Sequence, residues 1–273
     1  MPRRHLLSTP ALLVAGGYLV ALAVATVIAL TAGDLGVLLR VTLSVAPDEG
    51  VAATWPNVLG LVPAGLAVAW ALWQSLRGPL AGPPPELDRD TRWLRVALYA
   101  TAASQLLYPL MQSWPWWAGA LDFVVMSVLV LRFHPVLARD LAHADRVRAA
   151  GVVGYGGSAV AAVLEALDLP VPGLAALIFG LAALIWTVLV LLAQRRDGRW
   201  QPATVRYGIV SLVLPLLLAL ALPLASLLPA SPDTLFDAAA SVAGALAMIW
   251  LARSAHDLAD PRHQPAPHPS SAM

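Results

Sequence analysis

Residues 173–196 read GLAALIFGLAALIWTVLVLLAQRR, an uncharged run of twenty-one residues, Gly173 to Ala193, that ends against Arg195 and Arg196. A bilayer core of about 30 Å is crossed by roughly 20 helical residues rising 1.5 Å each. Lipid offers no partner for backbone N–H and C=O groups, and the run is continuous rather than alternating, so it predicts a helix and not a barrel strand. Working outward, seven more apolar stretches of similar length appear at about 10–32, 56–75, 94–113, 116–133, 150–168, 207–229 and 235–252. The first follows Met1–His5 and resembles a signal peptide's charged start, but it is long for such a segment and reads as a retained first span.

The whole chain agrees with its parts. Of 273 residues 59% are hydrophobic and 12% charged, with mean hydropathy +0.73, whereas a soluble domain carries about 25% charged residues. Too little polar surface remains to face water, which excludes a soluble enzyme and a disordered protein. The absence of Cys excludes disulfides, thiolate metal sites and thiol catalysis, and the absence of Lys excludes Schiff-base chemistry. The Arg-only basic complement fits a GC-rich bacterial genome.

Charge placement tests the number of crossings. If the N-terminus is cytoplasmic and every stretch crosses once, sixteen of the seventeen Arg fall on the inner side and only Arg40 lies outside. The acids divide eight to each side, so the inner face carries +8 and the outer −7. An Arg excess marks the cytoplasmic face. The expectation is an all-α, polytopic transmembrane bundle of eight spans in a bacterial cell membrane, both termini cytoplasmic. Residues 1–259 would form one membrane domain, followed by a Pro/His/Ser-rich disordered tail over 260–273.

Most connections are short. The outer segment 33–55 alone has room for structure of its own, and Leu35–Val45 predicts a short amphipathic helix along the interface. The inner segment 76–92, with Gly82-Pro83-Pro84-Pro85, reads as a stiff solvated linker. Trp93, Trp114, Trp116, Trp117 and Trp200 stand at span ends, as an aromatic belt requires.

An internal repeat is also suggested. Arg92-Trp93 pairs with Arg206-Tyr207, Tyr108-Pro109-Leu110 with Leu222-Pro223-Leu224, and Leu137-Ala138-Arg139 with Leu251-Ala252-Arg253, all at one constant offset. Repeats over 1–148 and 149–259, four spans each, would run parallel about an axis along the membrane normal.

Polar residues inside spans are costly and so point to sites. Thr101, Ser104, Gln105, Tyr108 and Gln112 recur at spacings of three and four in the third span and share one face. Asp122 lies five residues inward from Trp117, hence about 7 Å below the interface. The third and fourth spans are joined tightly, so Asp122 is expected to meet Gln105 or Tyr108. Such a pocket would bind a proton or a cation; interhelical hydrogen-bond glue accounts for the same residues. Asp237 near a helix start, and Glu165 and Asp168 at the outer face, read as dipole-stabilised or solvated acids.

Gly151, Gly154, Gly156 and Gly157, and the Ala239/Ala243/Ala247 series, predict close helix packing within the bundle, with a homodimer seam as the other reading. No HExxH, nucleophile elbow or phosphate-binding loop is present, and all six His lie at the inner face or the termini. Neither metal nor cofactor is expected. The inner Arg residues are interleaved with acids, as in Asp88-Arg89-Asp90-Thr91-Arg92, which fits anionic lipid rather than nucleic acid. The leading expectation is a non-catalytic membrane sensor or accessory subunit acting through a membrane or cytoplasmic partner. The alternative is a small proton- or cation-coupled transporter or permease component using the polar face around Asp122.

Overall fold

Proline and glycine punctuate the apolar runs. Pro56, Pro172 and Pro202 stand at helix starts, where a missing N–H costs nothing. Gly33 and Gly198 close helices in the left-handed conformation (φ 73° and 76°), which a Cβ would penalise. The computed structural model describes residues 7–42, 53–79, 86–107, 116–138, 143–225 and 232–260. All regular structure among them is helical: α1 (Ser8–Ala32), α2 (Gly36–Val41), α3 (Trp55–Leu76), α4 (Arg89–Leu107), α5 (Trp116–Leu137), α6 (Ala144–Gly151), α7 (Gly157–Ala166), α8 (Gly173–Asp197), α9 (Pro202–Ala225) and α10 (Pro232–Asp257). A single π-turn, Val152–Gly156, joins α6 to α7 into one long rod.

Each predicted stretch coincides with a helix. Six of these (α1, α3, α5, the α6–α7 rod, α8 and α10) are long and apolar enough to cross a membrane, and Pro202–Leu217 of α9 forms a shorter apolar segment. Helix α4 starts at Arg89, in charged sequence ahead of the apolar run, and the end of that run lies outside the described residues. The short amphipathic helix expected beyond the first span is α2, whose Leu38 and Leu39 are buried under α1 and α3. Tyr18 of α1 donates its hydroxyl to the Val41 carbonyl at 2.6 Å and holds α2 against the bundle. The tail beyond Asp260, the proline linker at 82–85, and Tyr108 and Gln112 lie outside the described residues.

Helix α10 is the hub, packing on α3, α4 and α9. A closed circuit of neighbours runs through it: α10 to α4, α4 to α5, α5 to the α6–α7 rod, the rod to α8, α8 to α9, and α9 back to α10. Helix α3 adds to the outside of α10, and α1 to the outside of α3. Inside the circuit Phe133, Trp186, Leu129, Val190, Leu191, Ile249 and Trp250 form one buried core. Trp186 sits at its centre, edge-on to Phe133 at 5.9 Å and to Tyr155 at 5.6 Å. Around the outside, large apolar side chains stand bare, among them Leu13, Val20, Leu174, Leu177 and Leu220. So much contiguous apolar exposure suits lipid and not water. The described helices therefore belong to a membrane protein. Trp93 and Trp117 are half exposed as a belt would have them, whereas Trp200 is buried in the core beneath Arg199.

The glycine run packs as the small-residue pattern required. A side chain at Gly154 would overlap the backbone nitrogen of Ala183 in α8 at 2.4 Å, and one at Gly157 would meet the Phe179 ring at 2.4 Å. The rod and α8 thus touch backbone to backbone. In the alanine series of α10, Ala243 is buried while Gly244 faces open space.

Candidate functional site: a carboxylate among four helices

Helices α4 and α5 are neighbours, so the polar stripe of one meets the acid of the other. Asp122 accepts from the Ser104 hydroxyl at 3.0 Å and from the Gln105 amide at 3.2 and 3.3 Å. Thr101 points away: fully buried, its hydroxyl bonds the Ala97 carbonyl one turn back at 2.8 Å, while its own carbonyl lies 2.9 Å from Ser104 Oγ. Among the described residues no basic side chain pairs with Asp122.

Ser104 has one hydrogen and two acceptors within reach, the Asp122 carboxylate and the Thr101 carbonyl. When Asp122 is ionised, the hydroxyl must turn toward it. When Asp122 is protonated, it can donate to Ser104 Oγ, and the serine hydrogen passes to Thr101. Both protonation states are satisfied by rotation about a single bond. The Gln105 amide, facing both carboxylate oxygens, fixes their plane.

The π-turn brings the next group. Tyr155 stands in that turn and shares a 3.1 Å hydrogen bond with Thr187 of α8. Thr187 gives its own hydrogen to the Ala183 carbonyl at 2.9 Å, so Tyr155 is the donor in that pair. Polar groups of α4 and α5 thus meet at Asp122, and those of the π-turn and α8 meet at Tyr155, on helices that pack in sequence against one another. Tyr155 and Thr187 were not anticipated from the sequence. Thr187 is a lone hydroxyl in its apolar stretch and Tyr155 sits within a glycine run, so no spacing pattern marks the pair, and the π-turn and the glycine contact with α8 bring them into contact. Glu165 and Asp168 are exposed at the ends of their helix, apart from these groups. No group of three or more His, Asp or Glu able to hold a metal gathers among the described residues.

A second polar cluster ties the ends of α8, α9 and α10 together. Asp257, although set in the charged end of α10, is only 3% exposed. It accepts from Thr204 Oγ1 at 2.6 Å and from the Gln201 backbone N–H at 3.0 Å, so the end of α10 caps the start of α9. Gln194, fully buried in α8, accepts from the Trp250 indole at 2.9 Å and donates to Ser254 at 3.3 Å. Arg95 reaches the Ala255 carbonyl at 3.0 Å, and Arg199 reaches the Val136 carbonyl at 2.8 Å. These guanidiniums meet helix C-termini, where the carbonyl ends favour a cation.

No protein-family model matches the chain, and no curated protein or solved structure does.

Proposed function

We propose that the chain is a small proton- or cation-coupled transporter or permease component of a bacterial cell membrane, and that Asp122 carries the coupling ion. The observation behind this reading is the Asp122 site: a carboxylate inside a helical bundle with no cationic partner among the described residues, held by Ser104 and Gln105 in a geometry that accepts either protonation state. Intramembrane acids are costly and mark ion pathways. A π-turn beside the site adds weight, since such turns recur where function requires an irregular helix. Tyr108 and Gln112, on the same face of the sequence, would extend the pocket outward.

In this reading all eight helical passages cross, both ends face the cytoplasm, and the outer acids supply an electronegative approach for cations. The two halves would derive from duplication followed by divergence. Helix α10 took the hub while its counterpart α5 stayed on the circuit, and only the first half carries the polar stripe.

The test is flux in proteoliposomes, read with an internal pH dye under imposed proton and sodium gradients. Wild type is expected to dissipate one of them, and Asp122→Asn to abolish that flux while remaining folded. Equal flux from both proteins would remove the carboxylate from the mechanism. A second reading, a non-catalytic sensor or accessory subunit, is favoured by the inner ends of α5 and α10, which run past their apolar stretches into charged sequence. A stoichiometric partner captured from membranes, together with no flux under any gradient, would carry that reading instead.

A further inference from the structure

Trp70, Gln74 and Arg77 stand at i, i+4 and i+7 and share one face at the inner end of α3. Trp70 reaches across α10 to donate its indole N–H to the Tyr207 hydroxyl of α9 at 3.2 Å. Below that bridge lies Arg253 of α10, stacked on the Tyr207 ring at 5.7 Å and bonded to Gln201 Oε1 at 3.0 Å. Trp70, Tyr207 and Arg253 thus stand together where the ends of α3, α9 and α10 meet.

Two groups on the α3 face lack protein partners. Arg77 Nε is a buried donor without an acceptor, and Gln74 Oε1 is a buried acceptor without a donor. Gln74 is only 3% exposed, so its orphaned oxygen carries a real desolvation cost. The root of Arg77 is fixed, because its backbone N–H bonds the Trp73 carbonyl and its carbonyl accepts from Leu7, both at 3.2 Å. Burial first, and then the like charge of Arg253, hold the Arg77 pKa below the usual arginine range; Tyr207 and Asp257 offset this only in part. The Asp257 carboxylate is already engaged by Thr204 and Gln201. Arg77 Nε thus stays without an acceptor while a second guanidinium repels it.

We propose that the inner ends of α3, α9 and α10 bind the phosphate of an anionic phospholipid headgroup, with Arg77 and Arg253 as its charged contacts. The Gln74 oxygen accepts from a headgroup hydroxyl, and the Trp70–Tyr207 wall lies along the glycerol backbone. Basic pockets between helices on the cytoplasmic side suit such headgroups. The orphaned acceptor adds selectivity: a glycerol headgroup offers hydroxyl donors and a choline headgroup offers none. This site is independent of Asp122.

Thermal unfolding of the purified full chain in detergent tests it, with dioleoylphosphatidylglycerol, dioleoylphosphatidylcholine or inorganic phosphate added. The glycerol lipid is expected to raise the wild-type Tm, and the choline lipid and free phosphate to leave it nearly unchanged. Arg77→Gln, which removes a charge repelled in the fold and leaves its backbone bonds intact, is expected to weaken the response to the glycerol lipid about fivefold. Gln74→Leu removes an unpartnered acceptor, so it is expected to fold at least as well and to narrow the preference for glycerol over choline. Equal responses from wild type and Arg77→Gln would overturn the proposal. Inorganic phosphate reproducing the full effect of the lipid would replace the headgroup with free phosphate and overturn it too.

Discussion

At the residue scale, the polar cluster around Asp257 separates its members by what each leaves behind when removed. Thr204→Val takes the 2.6 Å bond from a buried carboxylate and substitutes a similar volume, so the loss is electrostatic. Hydrogen bonds to charged groups are worth about 1.5–3 kcal/mol, and a loss of that size is expected on unfolding in mixed micelles. Asp88 behaves differently because it is exposed. It caps α4, its two oxygens accepting from the Thr91 backbone and hydroxyl at 2.8 Å each. Burial acts to raise its pKa, but the bonds from Thr91 and Asp90 and the Arg199 charge outweigh it and hold the carboxyl below its ordinary value. With the folded value the lower one, the stabilisation is complete above the ordinary carboxylate range and is lost as pH falls through the folded value. Asp88→Ala is expected to cost about 1 kcal/mol at neutral pH and nothing once both forms are protonated, a difference read from unfolding across an acid pH series. The sequence already showed that Asp122 and Gln105 would meet, because a tight connection makes their helices neighbours and helical spacing aligns the stripe. It could not show Asp257 leaving solvent to cap α9, since that pairing spans more than fifty residues and depends on how α9 and α10 cross.

At the element scale, the rod from Ala144 to Ala166 shows where pattern reading stops. Its length and apolarity were legible, and so was its glycine-rich face. The π-turn was not, because one added residue per turn leaves the hydropathy of the stretch unchanged. Its physical basis is the bare backbone: Gly154 lets Ala183 come within contact distance, and a wider turn accommodates that approach while aiming Tyr155 inward. Gly154→Leu is expected to push the rod off α8. Because the obstruction is backbone and not a flexible side-chain end, rotamer changes cannot relieve it, and overpacking of this kind costs roughly 1–3 kcal/mol or more. Tyr155 fluorescence or a cysteine-crosslinking pair between the rod and α8 would report the separation. Helix α4 teaches a related lesson. Its apolar run was located, but its start lies five residues earlier, at Arg89, because the Asp88 cap and not hydropathy sets where a helix begins.

At the scale of the whole molecule, reporter fusions decide the topology. Fusions in the 76–92 and 195–206 segments are expected to read cytoplasmic, together with both termini, and fusions in 33–55 and 167–173 to read external. Any inner segment reading external would break the even count of crossings. Beyond helices joined by tight connections, the neighbour order was not legible: every apolar run carries similar Leu, Ala and Val, so nothing in composition marks α10 as the hub. That placement bears on biogenesis. Of the described helices α10 leaves the ribosome last, yet α3, α4 and α9 all take their inner faces from it. Until it arrives, the earlier helices must wait in the bilayer without their keystone, the α1–α3 pair without the helix that joins it to the α4-to-α9 chain of neighbours, and open to quality-control proteases. Chains truncated ahead of Pro232 should therefore insert normally and be degraded quickly, their half-life and not their membrane integration recording the missing helix.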